Sequence, residues 1–371
     1  MADPDAVVVG AGPNGLAAAI VLARNGVRVR LYEARSTVGG GARTEELTLP
    51  GFRHDPCSAV HPLAAGSPVL AALPLERYGL EWVHPTYALV HPRADGGPAV
   101  LSSSLAGTAE GLGADATRYR RLVGPFVERW DELAHDVLGP VTARLPTHPV
   151  LTARFGARAA LPAGALVRGF RQPEARALLA GLAAHAICPL SWPGTGGAAT
   201  IFAAAAHARG WPFPRGGTQA LSDAMAAYLR TLGGEIVLDH PVGDVRELGP
   251  ARAYLLDVSV PVLIRMAESR LPSGYVRRLR RFQHGPGVFK LDYALSGPMP
   301  WTEPAAREAG TVHIGASYEE IAEALRGVAR GRAPERPFLI AAQPTVFDAT
   351  RAPEGRHVLW VYGHAPYGWH G

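Results

Sequence analysis

Short apolar runs and helical periodicities alternate along this chain. Ala6-Val7-Val8-Val9 is a four-residue apolar run, the pattern of a strand buried on both faces. Residues 16–24 are rich in Ala, Leu, Ile and Val and predict a helix, which Asn25-Gly26 stops. Residues 27–32 predict a second strand, ending at Glu33. Pro62, Pro68 and Pro74 break residues 60–75 into short helical pieces and turns. The alternating stretch 80–103 predicts a hairpin, 87–90 against 99–101, across Asp95-Gly96-Gly97. From 108 to about 210 the pattern turns helical. Leu122, Phe126, Trp130, Leu133 and Val137 are spaced for one amphipathic helix over 115–138, and 172–186 predicts another. A further helix at 219–229 ends at Gly233-Gly234 and is followed by strands at 235–238, 242–245 and 253–257. Residues 261–281 predict helix, and strands follow at 287–295, 311–314, 338–342 and 358–362, with a helix at 317–328 between the second and third.

The first strand and helix enclose Gly10-Ala11-Gly12-Pro13-Asn14-Gly15. Gly10 permits the tight turn off the strand, Gly12 lets a pyrophosphate approach the backbone, and Gly15 lets the helix pack close to the strand. The helix N-terminus turns free N–H groups toward such phosphates. Glu33 stands eighteen residues after Gly15, where a carboxylate can accept hydrogen bonds from a ribose diol and repel a 2′-phosphate. A lone G-x-G-x-x-G is weak in a chain with 43 glycines; strand, helix and acid in their required places make it a dinucleotide fingerprint. Gly194-Thr195-Gly196-Gly197-Ala198-Ala199 has a similar form, but Pro189 and Pro193 before it exclude a central parallel strand.

Composition narrows the class. With 371 residues, 47% hydrophobic and 19% charged, the chain is globular and long enough for two domains. No eighteen-residue uncharged apolar run predicts a spanning helix. The start has no basic and apolar leader, so a cytoplasmic location is expected. The net charge of +5 comes almost wholly from arginine, Lys290 being the only lysine. The arginines are spread along the chain, so no nucleic-acid partner is expected. Arg277-Arg278-Leu279-Arg280-Arg281 reads as a solvated helix face, with peripheral membrane contact as the other reading. Cys57 and Cys188 lie far apart, which excludes a C-x-x-C redox or zinc motif, and no metal site is expected. His54 and His61 read as hydrogen-bonding packing residues, and Lys290 as a strand lysine with its head in solvent.

Glu33-Ala34-Arg35-Ser36-Thr37-Val38-Gly39-Gly40-Gly41-Ala42-Arg43-Thr44 resembles the second signature of FAD enzymes that include phytoene desaturases, retinol saturase and flavin amine oxidases. Gly51-Phe52-Arg53-His54-Asp55-Pro56-Cys57-Ser58 resembles the GF-x-x-D-x-G element of the phytoene desaturase-like branch, and Pro214-Arg215-Gly216-Gly217 with Leu221 its P-x-GG-x-x-x-L element. The resemblance implies an α/β fold, α+β overall. A discontinuous Rossmann-like FAD-binding domain of the glutathione-reductase type would span 1–75 and 211–260. A mixed-sheet and helical substrate domain would span 76–210 and 261–371. It implies FAD as cofactor, held by Gly10, Gly12, Pro13, Asn14, Gly15, Glu33, Ala34, Arg35, Gly39, Gly40, Gly41, Arg43 and Thr44, with Val242 against the adenine. It implies hydride transfer between flavin N5 and a substrate carbon; the long apolar middle adds a hydrophobic small-molecule substrate. No acid–base pair is legible from spacing, so no catalytic residue is assigned. The apolar helical block would roof a pocket, form a plain core or lie on a membrane.

Family members continue past the last substrate strand into a Gly-rich turn and helix that close the flavin site. No such element is legible before Gly371, so weakened flavin retention is expected. Beside the desaturase-type reading stand a flavin amine oxidase-like enzyme, an NAD-dependent dehydrogenase and a non-catalytic flavin- or lipid-binding remnant.

Overall fold

The computed structural model describes residues 3–93, 96–139, 145–315 and 317–370. In chain order the strands are β1 (Ala6–Val9), β2 (Val29–Tyr32), β3 (Trp82–Val83), β4 (Tyr87–His91), β5 (Ala99–Ser102), β6 (Phe213–Pro214), β7 (Glu235–Val237), β8 (Ala253–Leu256), β9 (Gly287–Leu295), β10 (Ala309–Ile314), β11 (Leu339–Ala342) and β12 (His357–Ala365). A parallel sheet has the order β7-β2-β1-β8. Strand β1 is apolar throughout because both its faces are covered. Val8 packs with Leu16, Ile20 and Leu31 beneath the helices Pro13–Arg24 and Gln219–Thr231. Val7 and Val9 face the other way, onto Tyr32, Leu248 and Met266. Strands from residues 6 and 253 lie side by side, so the Rossmann-like layer is discontinuous in sequence, as the resemblance implied.

The second sheet is mixed, in the order β5-β4-β10-β11-β12-β9. Strands β4 and β10 are parallel, and every other pair is antiparallel. The hairpin β4–β5 forms as expected; Asp95 of its turn lies outside the described residues. One face carries the helices Pro173–Ala184, Thr195–Arg209 and Tyr318–Ala329 through Leu178, Leu182, Ala203 and Leu325. The other packs Val90, Val312 and Leu359 against Ala306. The apolar middle of the chain is thus mainly core. Among the described residues no helix is long and apolar enough to cross a membrane.

Three local expectations are corrected, the first being the helix expected over 261–281, which is two, Val260–Ala267 and Ser273–Leu279, with Leu271 extended between them. The single helix over 115–138 is two, Ala116–Val127 and Trp130–Val137. The first helix runs through Pro125 to Val127, and Arg129 turns out of helical geometry at φ −122° to start the second helix. Apolar spacing survives that break, so periodicity alone hid it. The strand expected at 242–245 is instead a turn leading into a 3-10 helix, Val245–Leu248. Asp244 accepts from the Arg246 N–H at 2.8 Å, and Glu247 from the Gly243 N–H at 3.2 Å. Those side chains satisfy backbone groups that a strand would have given to a neighbour.

One buried ion pair ties the layers together. Arg351, after β11, is 1% exposed and donates through Nη2 to Asp55 Oδ2 at 2.8 Å. Its Nε and Nη2 also donate to the carbonyl oxygen of Arg53, at 3.1 and 2.9 Å. Asp55 Oδ1 accepts from Thr44 Oγ1 at 2.6 Å and from the Thr218 N–H at 3.0 Å. His61 donates to or accepts from Thr218 Oγ1 at 2.9 Å, and burial pushes its pKa down to about 4. His54 bonds Thr48 Oγ1 at 2.8 Å. Both histidines are packing residues. Replacing Arg351 by Met leaves a buried carboxylate without its cation. We expect R351M to lose about 3–5 kcal/mol of stability, read from guanidinium unfolding, and R351M/D55N to recover part of that loss.

Candidate dinucleotide and ligand site

The glycine turn is built by contacts that exclude side chains. Gly10 has φ +102°, and a Cβ on it would lie 2.4 Å from the carbonyl oxygen of Asp257, just past β8. A Cβ on Gly15 would lie 2.0 Å from the Gly10 carbonyl oxygen. These two glycines let the helix Pro13–Arg24 begin hard against the strand ends. Gly12 differs: a Cβ there would meet nothing nearer than Asp257 Oδ2 at 3.6 Å. The fold does not require Gly12 to be bare, so its bareness serves whatever approaches from outside. Pro13 takes the first helical position, where its missing N–H costs nothing. Among the described residues none accepts from the N–H of Gly12 or Asn14.

Glu33 follows β2 directly and turns toward this loop. Its Oε2 accepts from the Ala11 N–H at 2.8 Å and its Oε1 from the Arg35 N–H at 3.0 Å. Ala34 and Arg35 follow on the surface. The His240 N–H donates to the Glu33 carbonyl and the Asp239 N–H to the Arg35 carbonyl, both at 2.9 Å. This lays the segment before Val242 alongside Glu33, and Val242 is half-buried against the cluster of Val7, Val9 and Tyr32.

The second glycine segment folds back onto the first. The Gly39 N–H donates to the Ala11 carbonyl at 2.8 Å, and a Cβ on Gly40 would lie 3.0 Å from Gly12 Cα. Arg43 donates to the Gly40 carbonyl and to Glu45 Oε1, each at 2.5 Å. Thr44 leaves this loop for the buried hub at Asp55. Gly41 is exposed, and its carbonyl accepts from the Ser58 N–H at 3.3 Å. The structure therefore brings Gly10 to Gly15, Glu33 to Arg35, Gly39 to Thr44 and Val242 to one end of the parallel sheet.

Next to Gly41 a cavity of about 550 Å³ opens. Cys57, Ser58 and Val60 form one wall, and His185, Phe202 and Trp211 another. Strands β9 to β12 supply the floor, including Lys290, Thr311, Trp360 and Tyr362. Lys290 corrects an expectation. Its side chain is 14% exposed, paired with Asp292, and its Nζ lies 5.8 Å from the Trp360 ring centroid. The carboxylate beside it on the same face of β9 holds the ammonium inward, where the sequence alone placed it in solvent.

Three residues here escaped the sequence. Asp257 accepts from the Gly15 N–H at 2.8 Å and so caps the helix of the glycine turn; its place at the end of the closing strand was the only signal. Asp55 was visible in its motif, but its partner Arg351 lies 296 positions away. His185 is a lone histidine at a helix end, with no pattern around it.

Comparison with known proteins agrees with this geometry. Residues 8–73 match the family model of an NAD(P)-binding Rossmann-like domain. The chain is 26% identical to the mouse (Mus musculus) pyridine nucleotide-disulfide oxidoreductase domain-containing protein 2, covering 98% of this chain and 74% of that one. It is 32% identical to the B subunit of the limonene dehydrogenase of Castellaniella defragrans over 34% of this chain and 24% of the relative. Among solved structures, a putrescine oxidase redesigned in its cofactor binding superposes with a TM-score of 0.57 at 19% identity, covering 98% of this chain and 76% of the other. The two share one fold, a parallel Rossmann-like layer joined to a mixed sheet.

Two outcomes follow from the glycine contacts. Gly12→Ala has room in the folded chain and should unfold within about 1 kcal/mol of the parent, yet lose ADP binding. Gly15→Ala collides with the Gly10 carbonyl and should lose stability and binding together; paired unfolding and ADP titrations separate the two. Asp257→Asn removes a negative charge from the helix N-terminus where a pyrophosphate would sit. It should tighten ADP binding by about 1 kcal/mol, measured by calorimetry at low salt.

Proposed function

We propose that this chain is an FAD-dependent oxidoreductase of the dehydrogenase or desaturase type, acting on an apolar small molecule. The observation that carries the reading is the shared wall between cradle and cavity. Gly41 ends the double-glycine loop, a Cβ on it would lie 3.8 Å from Cys57 Cβ, and Cys57 already lines the cavity. A dinucleotide stretched from Val242 past Gly12 to Gly41 would present its far end to that cavity. Two glycine segments in contact serve a cofactor longer than a nicotinamide dinucleotide needs, because Gly39 and Gly40 extend the backbone surface beyond the first turn.

The residues present fit such a group. Bare backbone at Gly12 and Gly40 gives close approach, the free N–H groups of Gly12 and Asn14 suit a pyrophosphate, and the Glu33 carboxylate suits a ribose diol. When bound, the flavin supplies the two-electron chemistry at N5. The chain supplies position and an apolar surround, with Val60, Phe202, Trp211 and Ile340 lining the cavity. The partial match to a limonene dehydrogenase component supports an apolar substrate. Lys290 in the cavity wall favours a second reading, an amine oxidase-like enzyme, since such enzymes use a lysine near the flavin.

Thermal denaturation with added nucleotide tests the cofactor. FAD at about 100 times its Kd should stabilise the chain by about 2.7 kcal/mol, NAD should not, and the dialysed complex should keep a flavin spectrum. Stabilisation by NAD alone would overturn the reading.

A further inference from the structure

The cavity wall carries a pair of histidines in contact. His185 caps the helix Pro173–Ala184, and His313 stands in β10, fully buried. Their Nε2 atoms are 3.2 Å apart. Burial keeps both neutral, with the His185 pKa pushed down to about 3. In a neutral pair one Nε2 must carry the proton and the other accept it. The far nitrogen of His313 decides which. Its Nδ1 is buried with no partner and packs so close to the helix that a Cβ on Gly181 would lie 2.4 Å from it. A proton there would be an orphaned buried donor, the costlier kind of unpaired group. His313 therefore holds its proton on Nε2 and donates it to His185. His185 then carries its own proton on Nδ1, the nitrogen left for the cavity that its ring lines.

The rest of the wall points the same way. Ser58 donates to the Gly41 carbonyl at 3.3 Å, and Thr311 Oγ1 accepts from Trp211 Nε1 at 3.0 Å. The Lys290 ammonium is held by Asp292. The indole N–H of Trp360, on the floor, is buried without a partner. Among the described lining residues there is no carboxylate. The cavity thus offers the His185 N–H as a donor in an apolar surround, and among its described lining residues no carboxylate balances a cation.

We propose that the cavity takes an apolar molecule bearing one oxygen acceptor, a carbonyl or hydroxyl, and that His185, its tautomer set by His313, receives that oxygen. This rests on the cavity being the substrate site of the proposed oxidoreductase, and it decides against an alkylammonium substrate. Binding to the purified full chain tests it without any turnover, using 2-undecanone, its isostere 2-methyl-1-undecene, and undecylamine, followed by quenching of Trp211 and Trp360. The ketone should bind at least tenfold tighter than the alkene, and the amine more weakly than the ketone. His185→Phe should bring ketone and alkene to the same affinity while leaving the alkene unchanged, which shows an intact cavity. His313→Phe, which frees the tautomer, should fall between. Equal affinities in the parent, no binding of either probe, tighter binding of the amine, or a preference that survives in H185F would overturn the proposal. Failure of FAD to stabilise the chain would sink the cofactor reading and leave these affinities unmoved.

Discussion

The Asp55–Arg351 pair sets the geometry on which the rest of the molecule depends. Both side chains are 1% exposed, so each charge needs the other at close range. The hydrogen bonds they share with Thr44 and Thr218 reach four separate segments: the glycine-rich loop, the loop after it, the helix that returns to the parallel sheet, and a loop of the mixed sheet. Gly217 is bare because Thr44 fills its space, a Cβ there lying 2.2 Å from Thr44 Oγ1. A buried charge pair confers little net stability over an apolar replacement. Its consequence is registration, since each partner has only one place to go.

From that fixed point the site follows by exclusion of side chains. Gly10 and Gly15 are required by the chain's own packing, Gly40 by its contact with Gly12, and Gly12 by nothing inside the protein. Absence of a side chain is thus three different statements in one loop. The motif alone cannot separate them, and the distances can. The same distinction applies to the carboxylates. Glu33 and Asp257 both point at backbone N–H groups of the turn, one bound to Ala11 and the other to Gly15 at the start of the helix.

Much of the fold was legible because its signals are local. The apolar run from Ala6 to Val9, the Asn25-Gly26 stop, and the turn before β5 each act within a few residues of the chain. The break at Arg129 and the turn at Asp244 were lost where local backbone geometry or a local polar group overrode an apolar pattern. The site split along the same line. Glycines and Glu33 sit in contiguous motifs, whereas Asp257, Arg351, His185 and His313 become partners only through tertiary packing across 128 to 296 positions. Lys290 was misplaced for the same reason: its surroundings are Asp292 on its own strand and Trp360 on the next.

The wall shared by Gly41 and Cys57 has a consequence for how such a chain changes over time. A residue enlarged at Cys57 to reshape the cavity presses on the loop that cradles the nucleotide. Ligand choice and cofactor retention are then one trait at that position. Drift toward new ligands is freer along β12 and the helix Thr195–Arg209, where Trp360 and Phe202 face the cavity and pack their rings on Tyr362 and His185, away from the glycine loop. Variation among relatives should therefore gather on the far walls and thin out toward the seam.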